Sequence, residues 1–219
     1  MTQIVFVLFP GVTQLDLTGP AQVLSRIPGG TVAVAARTLD PVGTDSGFAL
    51  GPTAIFDNAP QSDILCVPGG HGVTEALGDH ATVDFILRQA LGAQWVTSVC
   101  TGAFLLGRAG LLEGKSATTH WAYTHLLPLV GARHVAERVV EDGNIITAGG
   151  VTVGIDFALT LTARYAGEEA ARRVQLALEY DPHPPFDSGT PSSAGEEQTR
   201  GLREHIYDAA AARMAAALV

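Results

Sequence analysis

Short continuous apolar runs alternate along this chain with segments whose apolar positions recur at helical spacing. Ile4 to Phe9 is uninterrupted and closed by Pro10-Gly11, which predicts a central strand covered on both faces. Thr31 to Ala36 and Asp63 to Val67 read the same way, the latter closed by Pro68-Gly69-Gly70. Between the first two strands, Leu15-Asp-Leu-Thr-Gly-Pro20 leads into a helix over Ala21–Ile27. Thr18 is its expected N-cap and Pro20 lies in its first turn. Asp16 then stands just before that helix. Residues 40–58, rich in Gly, Pro, Asp and Thr, suggest a short β excursion. Val73–Leu77 and Ala81–Leu91 are helical by their spacing.

The next stretch organises the rest. Trp95 to Val99 has the β-branched bias of a strand, and Thr101 to Ala109 is apolar on nearly every side, as a buried helix would be. Cys100 sits at the joint. A sharp strand-to-helix turn places its joint residue against unpaired N–H groups and the positive end of the helix dipole. That position predicts a thiol of lowered pKa and a nucleophile. The arrangement is that of a nucleophile elbow, with Ser98 where hydrolases carry the first glycine. The competing reading is an inert core cysteine, which is the reading for Cys66 in mid-strand.

Beyond the elbow, Lys115–His120 predicts a strand, Tyr123–Val130 a short helix and Val135–Val140 another strand. Asp142-Gly143 makes a hairpin turn into Asn144–Ala148, which ends at Gly149-Gly150. Ile155–Tyr165 and Glu168–Tyr180 are helices. The Pro-rich segment 181–193 excludes helix and central strand, and 196–218 is an Ala-rich final helix. Strands alternating with helices predict a single α/β domain over 1–219, a doubly wound parallel sheet sandwiched by helices, with 181–219 as an extension. Asp16, Gly69, Gly70, Cys100, His120 and Gly150 all fall at strand ends, and such a rim is where open α/β folds place ligands.

Composition narrows the chemistry. At 219 residues, 47% hydrophobic and 16% charged, the chain can bury a substantial core. A net charge of −9 argues against a nucleic-acid partner. The two cysteines form no CxxC pair and no zinc-type cluster. No secretory signal or membrane-length apolar run is evident, so a cytoplasmic protein with reduced thiols is expected. Cys100 needs an acid–base partner. His120 is one candidate, although no acidic residue adjoins it to orient the ring. Asp16 is the other. A carboxyl beside a thiolate would share one proton with it and stay protonated near neutral pH.

Five motifs carry a resemblance: Leu15-Asp-Leu-Thr-Gly-Pro20, Val67-Pro-Gly-Gly70, Ser98-Val-Cys-Thr-Gly102, Ala117-Thr-Thr-His-Trp121 and Gly154-Ile-Asp-Phe157. Together they resemble the PfpI-like branch of the class I glutamine-amidotransferase-like superfamily. The likeness extends over nearly the whole chain, through Arg173-Val-Gln-Leu176 and Pro182-His-Pro-Pro-Phe186. Asp16 with Cys100 is the telling combination, since many relatives carry Glu at the acid position.

The resemblance implies a flavodoxin-like core, a homodimer and no metal or organic cofactor. It also implies an enzyme that adds water to an isocyanide. Cys100 would be the nucleophile and Asp16 the acid; Thr101 would hydrogen-bond near the pair, and the Gly70 N–H would bind the intermediate. Val12, Phe104, Trp121 and Val151 are the candidates for shaping a pocket. The same elbow also occurs in ligand-binding sensor domains of AraC-type regulators, which need a further helix-turn-helix region of ~100 residues that this chain does not display, leaving a stand-alone ligand-binding module as the alternative of that kind. Three further readings compete with the hydratase: a cysteine peptidase or amidase using His120, a glyoxalase-like or repair hydrolase using Cys100, and a redox sensor in which Cys100 becomes a sulfinate.

Overall fold

The apolar runs become the centre of a seven-stranded sheet. In the computed structural model, which describes residues 1–219, its strands are β1 (Thr2–Val7), β2 (Gly30–Ala36), β3 (Ala54–Ile55), β4 (Ile64–Val67), β5 (Trp95–Val99), β6 (Val139–Asp142) and β7 (Ile145–Ala148). Their order across the sheet is β6-β7-β5-β4-β1-β2-β3. All neighbours are parallel except β6 and β7, the hairpin expected around Asp142-Gly143. Ile4, Val5, Phe6 and Val7 are fully buried, as a strand covered on both faces demands.

Helices α1 (Gln14–Leu24), α2 (His80–Gly92), α3 (Gly102–Arg108), α4 (Val153–Ala166) and α5 (Glu168–Ala177) flank the sheet. α1 packs on α4, and α2 on α3. This is the α/β, flavodoxin-like arrangement. One cluster of 50 buried residues runs from Ile4 to Met214, so the last helix packs into the same core as the sheet. Cys66 is a core residue of β4, 3% exposed.

Several elements differ from their sequence expectations. α1 begins seven residues before Ala21, so Asp16 lies inside its first turn and not ahead of it. Thr18 caps nothing; its hydroxyl donates to Gln14 Oε1 at 2.8 Å. The face of α1 that packs on α4 sets the start, overriding the local Pro20 signal. Of Lys115–His120 only Ser116–Ala117 is strand. It pairs with Arg133–His134 in a separate two-stranded ribbon, and the strand expected over 135–140 lies at 139–142. Trp121–Val130 is a 3₁₀ stretch containing Pro128, not an α-helix. The helix after Glu168 stops at Ala177, ahead of Glu179 at φ 51°. Inside the Pro-rich segment, Pro191–Ala194 forms one helical turn under a Thr190 capping box. The final helix is interrupted by a π turn over Arg203–Tyr207. The excursion at 40–58 holds a Val42–Gly43/Ala49–Leu50 hairpin and then β3.

Candidate active site

Parallel strands all end on one rim, and β1, β4, β5 and β7 bring their following loops together there. Cys100 follows β5 with φ 56°, a left-handed conformation that costs a non-glycine residue roughly 1–2 kcal/mol. Its N–H donates to Ala148 O and Gly149 O, each at 3.0 Å, and its carbonyl accepts from Thr119 Oγ1 at 2.7 Å. Those bonds to the β7 loop and the 116–120 segment hold the turn. Glycine is required where this turn meets β4. A Cβ on Gly102 would stand 2.2 Å from Val67 O, and one on Gly69 would stand 2.6 Å from Thr101 N.

Asp16 reaches the cysteine from the first turn of α1. It is 1% exposed, and its Oδ2 accepts from Gly69 N–H at 3.0 Å. Oδ1 has no hydrogen bond of ordinary geometry, and the Cys100 side chain stands against this carboxyl. Burial pushes Asp16 up to about 7, against the pull of the Gly69 N–H and the thiol; Asp45 adds to the rise.

The thiol departs from expectation. The N–H groups of Thr101 and Val151 do point at the sulfur and favour thiolate, as the elbow argument requires. Burial and the adjacent Asp16 outweigh them and hold the thiol well above its ordinary value. The helix N-terminus favours an anion, but desolvation of a fully enclosed sulfur is the larger effect. Both groups are pushed upward, so at neutral pH the pair keeps at least one proton between them.

Thr101 is buried against the same loop, its Oγ1 accepting from Gly70 N–H at 3.0 Å. The Gly70 N–H, expected to bind an intermediate, is thus engaged with Thr101. The amides aimed at the Cys100 sulfur are those of Thr101 and Val151. His120 lines the same cavity, but its Nδ1 accepts from Ala122 N–H at 3.3 Å, which places the ring proton on Nε2. Burial lowers its pKa to about 4, so the ring is neutral and carries no free basic nitrogen. Gly150 lets that ring in: a Cβ there would lie 2.4 Å from His120 Cδ2.

Cys100 opens onto a cavity of about 170 Å³. Its walls are Thr13, Asp45, Gly70, His71, Thr101 and Val151, together with the rings of His120, Tyr123 and Tyr207. Of the pocket candidates named from sequence, Val151 reaches the cavity. Val12 and Phe104 are fully buried in the core, and Trp121 packs behind His120 and Tyr207 at ring distances of 5.5 and 5.2 Å. A larger cleft, about 430 Å³, lies between the ends of β1 and β2 and the segment around Glu75. It contains no cysteine or histidine, so chemistry places the site at the smaller cavity. No cluster of three or more His, Cys, Asp or Glu is arranged to hold a metal ion.

Thr119, Asp45, His71, Tyr123 and Tyr207 were not found from sequence. Tyr207 had a signal: it continues the stripe of buried Ala210, Ala211 and Met214 at i, i+3, i+4 and i+7. Thr119 and Asp45 had none, because their partners are distant in sequence.

A parallel α/β sheet with a strained cysteine at its carboxyl rim, facing a buried carboxyl, defines a class, and residues 2–164 match the DJ-1/PfpI family. The chain belongs to that family. It is 51% identical over 222 residues to an isonitrile hydratase of Pseudomonas putida, covering 97% of each chain. A ThiJ/PfpI family protein from Pseudomonas syringae superposes with a TM-score of 0.95 at 37% identity, over 99% of this chain and 90% of that one. Drosophila melanogaster DJ-1beta superposes with a TM-score of 0.73 at 26% identity, over 83% of this chain and 99% of that one.

Proposed function

We propose that this protein is an isocyanide (isonitrile) hydratase, converting R–NC and water to R–NH–CHO. The observation that carries the reading is the buried Cys100–Asp16 pair, both groups pushed upward by burial, on a small cavity. The 51% identity to the Pseudomonas putida isonitrile hydratase supports the same reading over the full chain.

An isocyanide is neutral, and its terminal carbon accepts a nucleophile and a proton together. Asp16 takes the thiol proton; the sulfur attacks the carbon, forming the C–S bond; Asp16 returns the proton to that carbon. The product is a thioimidate, R–N=CH–S–Cys100. Asp16, now a carboxylate, draws a proton from water as its oxygen adds to the same carbon, and passes that proton to nitrogen. The C–S bond then breaks as the hydroxyl becomes the formyl carbonyl, and the hydroxyl proton returns to the pair. The N–H groups of Thr101 and Val151 offset the charge that returns to sulfur at this step. A group held near pH 7 can both give and take the proton, which an ordinary surface carboxylate cannot do efficiently.

A cysteine hydrolase with His120 as base is the weaker reading, because Nδ1 is engaged with Ala122 and Nε2 carries the proton. The decisive experiment is turnover of phenyl isocyanide by the purified protein, followed by absorbance as the formamide forms. Cys100→Ala and Asp16→Asn run alongside. Both variants are expected to lose turnover, by at least ~10²-fold for Asp16→Asn. Full activity in Asp16→Asn moves the acid role elsewhere. An inactive wild type overturns the hydratase.

A further inference from the structure

The family match ends at residue 164, yet Tyr207 lines the reacting cavity. It is delivered by the π turn Arg203–Tyr207, closed by the Asp208 N–H bonding to Arg203 O. Single π turns within helices commonly mark functional positions, because the extra residue re-aims a side chain. The helix that follows packs on the 3₁₀ stretch and is seated by Ala210, Ala211 and Met214, each buried in the common core. That seat holds the ring in place. Its centroid lies 5.0 Å from His120, 5.2 Å from Trp121 and 5.9 Å from Tyr123, so one side chain closes an aromatic wall built by the other three. The Tyr207 hydroxyl makes no hydrogen bond within the protein, leaving the ring as the part that packs.

We infer that Tyr207 is a specificity-determining residue: its ring forms part of the wall of the cavity onto which Cys100 opens and limits the substituent R to about one six-membered ring. The inference rests on the hydratase reading for its substrate, but not for its geometry. A cavity of about 170 Å³ matches the ~150 Å³ that accommodates a single benzene. No Lys or Arg lines the cavity and Asp45 stands in its wall, so the substituent is uncharged or cationic, not anionic.

The test compares kcat/KM for 2-naphthyl and phenyl isocyanide in wild type, Tyr207→Ala, Tyr207→Phe and Tyr207→Trp. Using the ratio cancels any change in folded fraction. Tyr207→Ala raises the naphthyl-to-phenyl ratio at least ~10-fold, a size typical of steric discrimination in an apolar pocket. Tyr207→Trp lowers it, and Tyr207→Phe leaves it within twofold. A ratio unchanged in Tyr207→Ala overturns the inference. So does a Tyr207→Phe shift as large as that of alanine, which would make the hydroxyl the determinant. A second readout does not depend on isocyanides: the rates at which N-benzylmaleimide and iodoacetamide alkylate Cys100, mapped by mass spectrometry. Tyr207→Ala speeds the maleimide relative to iodoacetamide by ~10-fold or more. If that ratio shifts while no variant hydrates an isocyanide, the hydratase reading fails and the size limit stands. If that ratio does not shift, the size limit fails.

Discussion

Two acids enclosed face to face cannot both ionise cheaply, and Asp16 and Cys100 are each pushed up in consequence. The pH dependence of kcat/KM is expected to show an apparent pKa near 7 belonging to the pair, moving downward in Asp45→Asn because Asp45 helps raise Asp16. An unmoved profile would remove Asp45 from the site's electrostatics. The same shift has a cost in stability. Asp16 titrates at about 7 in the fold against 3.8 without it, so the fold binds this proton more tightly than the unfolded chain. Its contribution is fully present below pH 3.8 and is lost as pH rises through 7. Asp16→Asn should therefore gain stability over wild type between pH 4.5 and pH 8, by at most about 4 kcal/mol. Urea denaturation at the two pH values checks this; a constant difference would mean the carboxyl is not perturbed. His120 has the opposite sign. Lowered to about 4 from 6.5, it favours the fold above pH 6.5 and loses that contribution as pH falls through 4. At Cys100 itself, φ 56° reverses the usual order of glycine and alanine. Cys100→Gly is expected to be more stable than Cys100→Ala by thermal denaturation, where an ordinary φ would give the reverse.

The turn between β5 and α3 works because glycine lets it press against the end of β4. Gly102→Ala places a methyl 2.2 Å from Val67 O, and backbone on both sides must shift. A loss of about 3 kcal/mol in denaturant stability is expected, with activity falling as Cys100 moves away from Asp16. A second brace holds the start of α4, just after Val151. Asp156 accepts from Arg138 and, at 2.7 Å, from Tyr180 OH. Tyr180→Phe is expected to cost about 1 kcal/mol and to leave kcat within a few-fold, since the Arg138 contact remains. The elbow was legible from sequence because its signals are local: β-branched residues, a cysteine, then a small residue and an apolar helix. The start of α1 was not. Pro20 is a local signal for a first turn, but the contact that sets the helix start comes from α4, more than a hundred residues later. The Ser116–Ala117 strand was over-read for a similar reason: its partner is a two-residue strand, and nothing in Lys115–His120 states where pairing ends.

The C-terminal segment joins the catalytic body through its core face. Met214 is 2% exposed, so Met214→Ala is expected to cost about 3 kcal/mol and to loosen the cavity wall that Tyr207 forms. Urea denaturation, together with the naphthyl-to-phenyl ratio, checks both halves. Wild-type stability in that variant would mean the last helix is not anchored where it packs. The resemblance to PfpI-like proteins implies a homodimer. Sedimentation equilibrium is expected to give about twice the 22.8 kDa chain mass, and a monomer would contradict it.

Several features follow from the chain's own order of residues: the alternation of strands and helices, the parallel sheet, the cysteine at the elbow and the loops gathered at one rim. Each rests on short-range chemistry, namely apolar runs, turn residues and the rule that parallel strands end on the same side. On those grounds Asp16 and His120 were both candidates to stand by Cys100, and the packing sets the Asp16 carboxyl against the thiol. The upward shift of Asp16 beside a thiol was legible too, but that of the thiol was not, because a local dipole argument favours the thiolate while the surrounding burial, which only packing creates, opposes it more strongly. His120 is a candidate base by sequence alone; its engagement with Ala122 N–H and the burial that pushes its pKa down to about 4 come from the packing. The cavity belongs to the fold alone. Its walls come from residues as far apart as Thr13 and Tyr207, and the distance between two such side chains is a property of how the layers pack.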